Sequence, residues 1–334
     1  MRDGRTQVER VGRRAERLGK RLVGAAFVVA AFVVAAVCGC GGDRGDRPAE
    51  TPGAGKPTII SVNYPLHYFV ERIGGANVAA SFPVPADVDP AFWNPSDDTL
   101  EEIQQADLIV LNGADYARWR RTASLPELRC LDTSTAFADR LLDEPTHVAH
   151  RHGPGVHSHG GLAFTTWLDP ELARLQAAAV HRGISRLRPD RAAELQAGFD
   201  ALDRDLRQWD GKLRDVAARW ADRPLLASHP VYQYLARRFD WDLVSLHWEP
   251  DQDPPPEQWA DLELQLKNRP AKWMLWEDVP LEATRRRLDD LGIGVIVYRP
   301  CGNRPDADDW LVEMLANLDR LESAAANAAA AERE

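Results

Sequence analysis

The chain has 334 residues, a formal net charge of −10 and four cysteines. That length suits two domains of ordinary size, each able to bury a core. A composition of 44% hydrophobic and 28% charged residues is that of a soluble globular protein, and the acidic balance excludes nucleic acid as an expected partner while remaining compatible with a cation.

The first 39 residues carry eight Lys/Arg and three Asp/Glu, a net of +5, so the rest of the chain carries −15. Arg10, Arg13, Arg14, Arg17, Lys20 and Arg21 precede an uncharged apolar run from Leu22 to Val37. The run is short for a membrane span and fits the core of a signal peptide over 1–39. It ends in Val37-Cys38-Gly39-Cys40-Gly41-Gly42. A small residue just before a cysteine resembles a bacterial lipobox, and Gly39 makes Cys40 the expected lipidation site. An uncleaved anchor helix is the alternative, and either reading places the body outside the cytoplasm on a membrane tether. Residues 40–56 are rich in Gly, Pro and charge, so they read as that tether. Only Cys130 and Cys301 remain in the body. An exported compartment permits a disulfide between them, and their distance in sequence leaves pairing open.

Beyond the tether the signals alternate. Strands are expected at Thr58–Val62, Val78–Val84, Leu108–Leu111 and Leu128–Leu131, with helices at Pro65–Ile73 and Thr99–Gln105. Alternation of this kind implies a parallel sheet covered by helices. The pattern breaks at 143–163, a Gly/Pro-interrupted stretch holding five of the nine histidines: His147, His150, His152, His157 and His159. It reads as a mobile loop. From Asp169 to Trp220 apolar residues recur every three to four positions, interrupted at Pro189, which predicts a short helix and then a long one. The alternation then restarts. Strands are expected at Leu225–Ala227, Leu243–Leu246, Trp273–Trp276 and Val295–Tyr298. The helices expected between and after them are Val231–Arg238, Glu257–Leu266, Leu281–Leu291 and Asp308–Leu321. The predicted architecture is α/β: two parallel-sheet lobes, 57–166 and 223–325, joined by a helical connector at 167–222, with a disordered tail at 326–334.

In open parallel sheets ligands bind beyond the carboxyl ends of the strands. The stretch Val84–Pro95, which contains Asp89, occupies that position in the first lobe. Ser228-His229-Pro230, His247-Trp248-Glu249, Trp276-Glu277-Asp278 and Tyr298–Cys301 occupy it in the second. His229 is the leading candidate, because it follows an apolar strand and Pro230 stands where a helix would begin. A capping or merely satisfied histidine is the plainer alternative. Glu277 ends a wholly apolar strand, so its carboxylate must be hydrogen-bonded, ion-paired or metal-bound. The loop histidines suit zinc, copper or nickel, although a Gly/Pro-rich loop is not preorganised. Phosphate-binding glycine loops, Cys-x-x-Cys pairs and a nucleophilic Ser/His/Asp arrangement are not evident, so an enzyme is not expected.

Residues 57–325 resemble the zinc/manganese-type solute-binding proteins of bacterial metal ABC importers. The resemblance rests on segments that follow one another in family order. They are Ser61–Leu66, Ile73-Gly74-Gly75, Val88-Asp89-Pro90, Gln105–Gly113, Trp167-Leu168-Asp169-Pro170, Ser228-His229 and Trp276-Glu277, and the His-rich loop sits where zinc-binding members carry theirs. The family fold implied is two α/β lobes joined by a long rigid helix, with the ligand cleft between them. The function implied is capture of zinc, or manganese, by an exported, lipid-anchored monomer at the periplasmic or cell-surface face of the membrane, and delivery to the importer's permease.

The family's metal ligands are where the sequence departs. Ala91 and Thr165 stand in place of two histidines, Arg299 in place of an acidic residue, and His229 alone is retained. The resemblance therefore implies a rebuilt site, with His229 joined by Asp89, Glu277 or loop donors, and with the loop as the main metal-contacting element. The other reading it leaves open is a cleft that takes an anion or a metal chelate on Arg299, or in which Arg299 pairs with Glu277.

Overall fold

Thr58-Ile59-Ile60-Ser61 is a β-branched run whose last three residues are buried, and it forms the first strand, β1 (Thr58–Ser61). The computed structural model describes residues 55–144, 161–249, 252–306 and 309–331, together with the backbone of 150–152 and 155–157. The expected signal peptide, Cys40 and nearly all of the tether lie outside the described residues, as do His147 and His159.

After β1 come α1 (Tyr64–Gly74), β2 (Ala79–Ser81), α2 (Asp97–Gln105), β3 (Leu108–Leu111) and β4 (Cys130–Asp132). The four strands form one parallel sheet in the order β2-β1-β3-β4. β2 is shorter than its apolar signal suggested: Pro83 and Pro85 have no N–H to give to a ladder, so pairing stops at Ser81. Asn63 and Ser96 cap α1 and α2, accepting the N–H groups of Leu66 and Thr99 at 3.1 and 3.2 Å.

The histidine-rich stretch is more structured than the loop expected. The backbones of β5 (His150–His152) and β6 (Gly155–His157) pair antiparallel, His150 opposite His157. At the base of the stretch Glu144 N–H donates to Gly161 O and Ala163 N–H to Leu142 O, both at 2.8 Å, which clasps its two ends together.

α3 (Pro170–Leu187) and α4 (Ala192–Ala217) follow. Only α4 acts as the connector. α3 belongs to the first lobe, where Gly183 lies so close that a Cβ would stand 2.9 Å from Leu131. α4 buries Leu195, Leu202, Leu206, Trp209, Leu213 and Val216 along one stripe. Gly198 lets it approach the end of α1, since a Cβ there would meet Ile73 O at 2.8 Å.

The second lobe comprises β7 (Leu225–Ala227), α5 (Gln233–Phe239), β8 (Leu243–Ser245), α6 (Pro256–Asn268), β9 (Trp273–Trp276), α7 (Glu282–Asp290) and β10 (Gly294–Val297). Its sheet is also parallel, in the order β10-β9-β7-β8. α8 (Trp310–Ala331) closes the fold and extends into the segment expected to be a disordered tail. One continuous core includes Ile59 and Phe69 of the first lobe, Trp209 of α4, Leu275 of the second lobe and Trp310 of α8. A separate cluster, with Leu226, Trp248, Trp259, Met274 and Trp276, packs on the other side of the second sheet.

Candidate functional site

Both sheets are parallel, so the residues that leave their strands gather at the carboxyl ends. In the first lobe a buried polar network sets these ends. Asn112 Oδ1 accepts from Asn63 Nδ2 and Gln176 Nε2 at 3.1 Å each, and Asn112 Nδ2 donates to Phe164 O at 2.9 Å. The loop after β2 carries Asp89, and the 3₁₀ turn after Phe164 carries Thr165.

In the second lobe His229 leaves β7 and Glu277 leaves β9, adjacent strands of the same sheet. His229 Nδ1 lies 3.1 Å from Glu277 Oε1, with side chains 16% and 22% exposed, so the pair is mostly desolvated but still reached from the cleft. Burial disfavours the imidazolium, yet Glu277, with Glu249 and Glu144 farther off, outweighs it and raises the His229 pKa above the ordinary value. The carboxylate after the apolar strand β9 has therefore found an ion-pair partner, one of the outcomes its position demanded. α5 begins at Gln233 rather than beside Pro230, so His229 sits in the connecting turn.

Asp89 lies on the loop of the first lobe. Its Oδ1 accepts the Ala91 N–H at 2.8 Å, and the residue keeps solvent exposure while protein crowds its carboxylate. That crowding and the charge of Glu277 push its pKa up to about 6, against the Ala91 N–H, His229 and Arg118, which pull it down. Asp89 thus feels the charges of both Glu277 and His229 of the second lobe. Tyr116 is wholly buried nearby, its phenol pushed far up by burial and then by Asp89.

The three positions that depart from the family pattern are each occupied structurally. Ala91 is completely buried in the main core. Thr165 is buried and its Oγ1 donates to Val231 O at 2.5 Å, tying the first lobe to the turn that carries His229. Arg299 does not pair with Glu277. Its guanidinium donates to Asp278 Oδ1 at 2.7 Å and to Glu313 Oε1 of α8 at 3.4 Å, and the Asp278 bond leads the influences that raise its pKa. The reading in which Arg299 pairs with Glu277 is corrected: its guanidinium is neutralised by Asp278 and Glu313 instead.

Among the described residues no three His, Cys, Asp or Glu side chains are already arranged to hold a metal ion. The side chains of His150, His152 and His157 lie outside the described residues, as His147 and His159 do entirely. Cys130 and Cys301 are free thiols. Three neighbours were not named as ligand candidates from sequence, although His247 and Glu249 stand in a segment already placed at a strand's carboxyl end. His247 sets its ring at right angles to that of His229 with centroids 6.4 Å apart, Glu249 acts on His229 and Arg118 acts on Asp89. The first two also directly follow a strand, β8, and that position was the available signal; nothing in sequence marks Arg118.

Residues 59–324 match the family described as zinc-uptake complex component A, periplasmic, or ZnuA. The chain belongs to the ZnuA family. Among its relatives is the high-affinity zinc uptake system protein ZnuA of Bacillus subtilis (strain 168), 24% identical over 265 residues, which cover 78% of this chain and 82% of that protein. Among solved structures, the metal-dependent lipoprotein YcdH of Bacillus subtilis superposes with a TM-score of 0.68 at 20% identity, covering 80% of this chain and 98% of the other. Zn(II)-bound AdcA of Streptococcus pneumoniae gives the same TM-score and identity over 80% of this chain, which spans only 57% of AdcA. At such identities the structural likeness establishes a shared two-lobed fold. As a ZnuA-family chain it is a solute-binding protein by descent.

Proposed function

We propose that this chain is the extracytoplasmic capture component of a divalent-cation ABC importer, that zinc is its cargo, and that it hands the ion to a membrane permease from a lipid anchor at Cys40. The observation that carries the reading is the mostly desolvated His229–Glu277 pair at the carboxyl end of the second sheet, whose charges reach Asp89 of the first lobe. One imidazole and two carboxylates are donors that zinc accepts, with water completing its four positions. A cation would displace a proton held on His229 or Asp89, so binding releases protons and weakens in acid. The diversion of Arg299 to Asp278 and Glu313 supports a cation over an anion or a chelate. Manganese, a harder ion, would lean on the carboxylates more than on His229.

The site would be looser than a preformed cage of four protein ligands, and the imidazoles of 147–159 would supply additional, weaker contacts. Isothermal titration of the full chain with zinc tests the cleft. His229→Ala is expected to weaken the tighter binding event by about a hundredfold, the effect of removing a direct ligand. Unchanged affinity in that variant would rule out the cleft as the capture site.

A further inference from the structure

The chain leaving β10 does not stay with its own lobe. It is anchored first at Arg299, whose N–H donates to Asn317 Oδ1 and whose carbonyl accepts from Asn317 Nδ2, each at 2.8 Å. Residues 300–304 then reach onto the first lobe. Pro300 O accepts from Trp167 Nε1 at 2.7 Å, and Gly302 O accepts the Tyr64 N–H at 2.9 Å. The Arg304 guanidinium lies over the Tyr64 ring, 5.4 Å from its centroid. Between these holds Cys301 takes φ +55°, a left-handed conformation that costs a side-chain-bearing residue and persists because both neighbours are fixed. Gly302 passes so near Tyr116 that a Cβ would stand 3.0 Å from the phenolic oxygen.

At the tip of this strap stands Asn303. Its Nδ2 donates to Pro85 O and Val88 O at 2.7 Å each, with Ala86 O at 3.2 Å. Two N–H bonds are thus shared among three carbonyls of a single loop on the opposite lobe. That loop is poor in bonds of its own: Pro83 and Pro85 have no N–H, and Val88 N–H reaches Pro85 O at only 3.3 Å. Its next residue is Asp89, whose Oδ1 and carbonyl organise the turn through Ala91 and Trp93.

We propose that Asn303 is a positioning residue for the cation site: its carboxamide latches the 85–88 carbonyls to the second lobe and so holds Asp89 opposite His229 and Glu277. The proposal rests on the reading of Asp89 as a ligand in the cleft. The second lobe, on this account, sets its own imidazole and carboxylate and also the location of the one carboxylate the first lobe contributes. Asn303 touches no cation itself, so it acts only through the loop.

The experiment compares the full chain with Asn303→Ala, Asn303→Asp, Asp89→Asn and the double variant Asn303→Ala/Asp89→Asn. Asn303→Asp keeps the size of the side chain but removes both donors. Zinc affinity is measured by chelator competition, and amide hydrogen exchange over 86–93 is measured without zinc. Asn303→Ala and Asn303→Asp should each weaken zinc binding by about tenfold, in the range of a lost supporting hydrogen bond, and should speed exchange at Ala91 and Trp93. Asn303→Ala should add nothing in the Asp89→Asn background. An equal loss in that background would show that Asn303 acts elsewhere, and unaltered exchange in Asn303→Ala would overturn the latch whether or not zinc binds. If His229→Ala leaves zinc affinity intact, the cleft reading fails separately, and exchange still decides the latch.

Discussion

The two lobes share a topology but bring different things to the cleft. The second lobe presents His229 and Glu277 directly from the ends of β7 and β9, neighbouring strands buried on both faces. The first lobe presents Asp89 from a proline-rich loop and fills its two family positions with the wholly buried Ala91 and with Thr165, bonded to the opposite lobe. The contrast teaches that donors and enclosure can be separated. A lobe that has lost its imidazoles still contributes walls, a carboxylate and interlobe hydrogen bonds, and a binding site can shift toward one lobe while the fold around it is retained.

The largest test of this asymmetry is to force the first lobe back into the family pattern. Ala91→His would have to place an imidazole in a site with no accessible surface, so it is expected to destabilise the chain by about 1–3 kcal/mol through overpacking. Urea denaturation with and without zinc measures this. A variant that stayed as stable as the parent and bound zinc more tightly would show that the first lobe had kept room for a ligand. Next in size is Glu277→Gln, which retains the shape of the side chain but removes the charge that favours His229 protonation. The His229 pKa should fall back below its present raised value, as read by NMR titration of the imidazole, because burial would then prevail. No downward movement would mean that Glu277 is not the partner that matters.

A smaller effect concerns pH. Asp89 has a folded pKa raised from 3.8 to about 6, so its contribution to stability is fully present below pH 3.8 and is lost as pH rises through about 6. Asp89→Asn, neutral throughout, should therefore melt close to the parent at pH 4 and above it at pH 7 in the absence of metal. A constant difference between the two would refute that linkage. The smallest expected change in stability comes from deleting residues 145–160. The Ala163 N–H bond to Leu142 O lies outside the deletion, so the melting temperature should be nearly unchanged while zinc stoichiometry falls. Equal stoichiometry would remove the loop histidines from the account.

Much of the fold was legible because short apolar runs bounded by turn residues have few alternatives. Leu108–Leu111, Leu225–Ala227 and Trp273–Trp276 emerge with the boundaries read from sequence. β2 was overextended because its apolar signal continues past prolines that end pairing, and α8 was cut short because alanine-rich polar sequence at a terminus resembles a tail. In the site, His229 and Glu277 were legible from their places after apolar strands. The partner of Arg299 was not. Glu277 and Asp278 are adjacent in the bend that leaves β9, where the two side chains part company. The structure turns Glu277 inward to His229 and leaves Asp278, 65% exposed, to meet Arg299. Only three-dimensional packing decides which of two neighbouring acids faces which way.

The continuous core has a mechanical consequence. Trp209 of α4 meets Trp310 of α8 edge to face at 5.4 Å, and Trp310 in turn meets Phe69 of α1 in the same manner, so indole stacking links the first lobe to the connector and the closing helix. Lobes stitched together in this way cannot swing apart like two plates on a pin without tearing aromatic contacts from the middle of the molecule. Heat should undo both halves in one calorimetric peak, and a gene cut near residue 222 should yield two fragments that are insoluble apart.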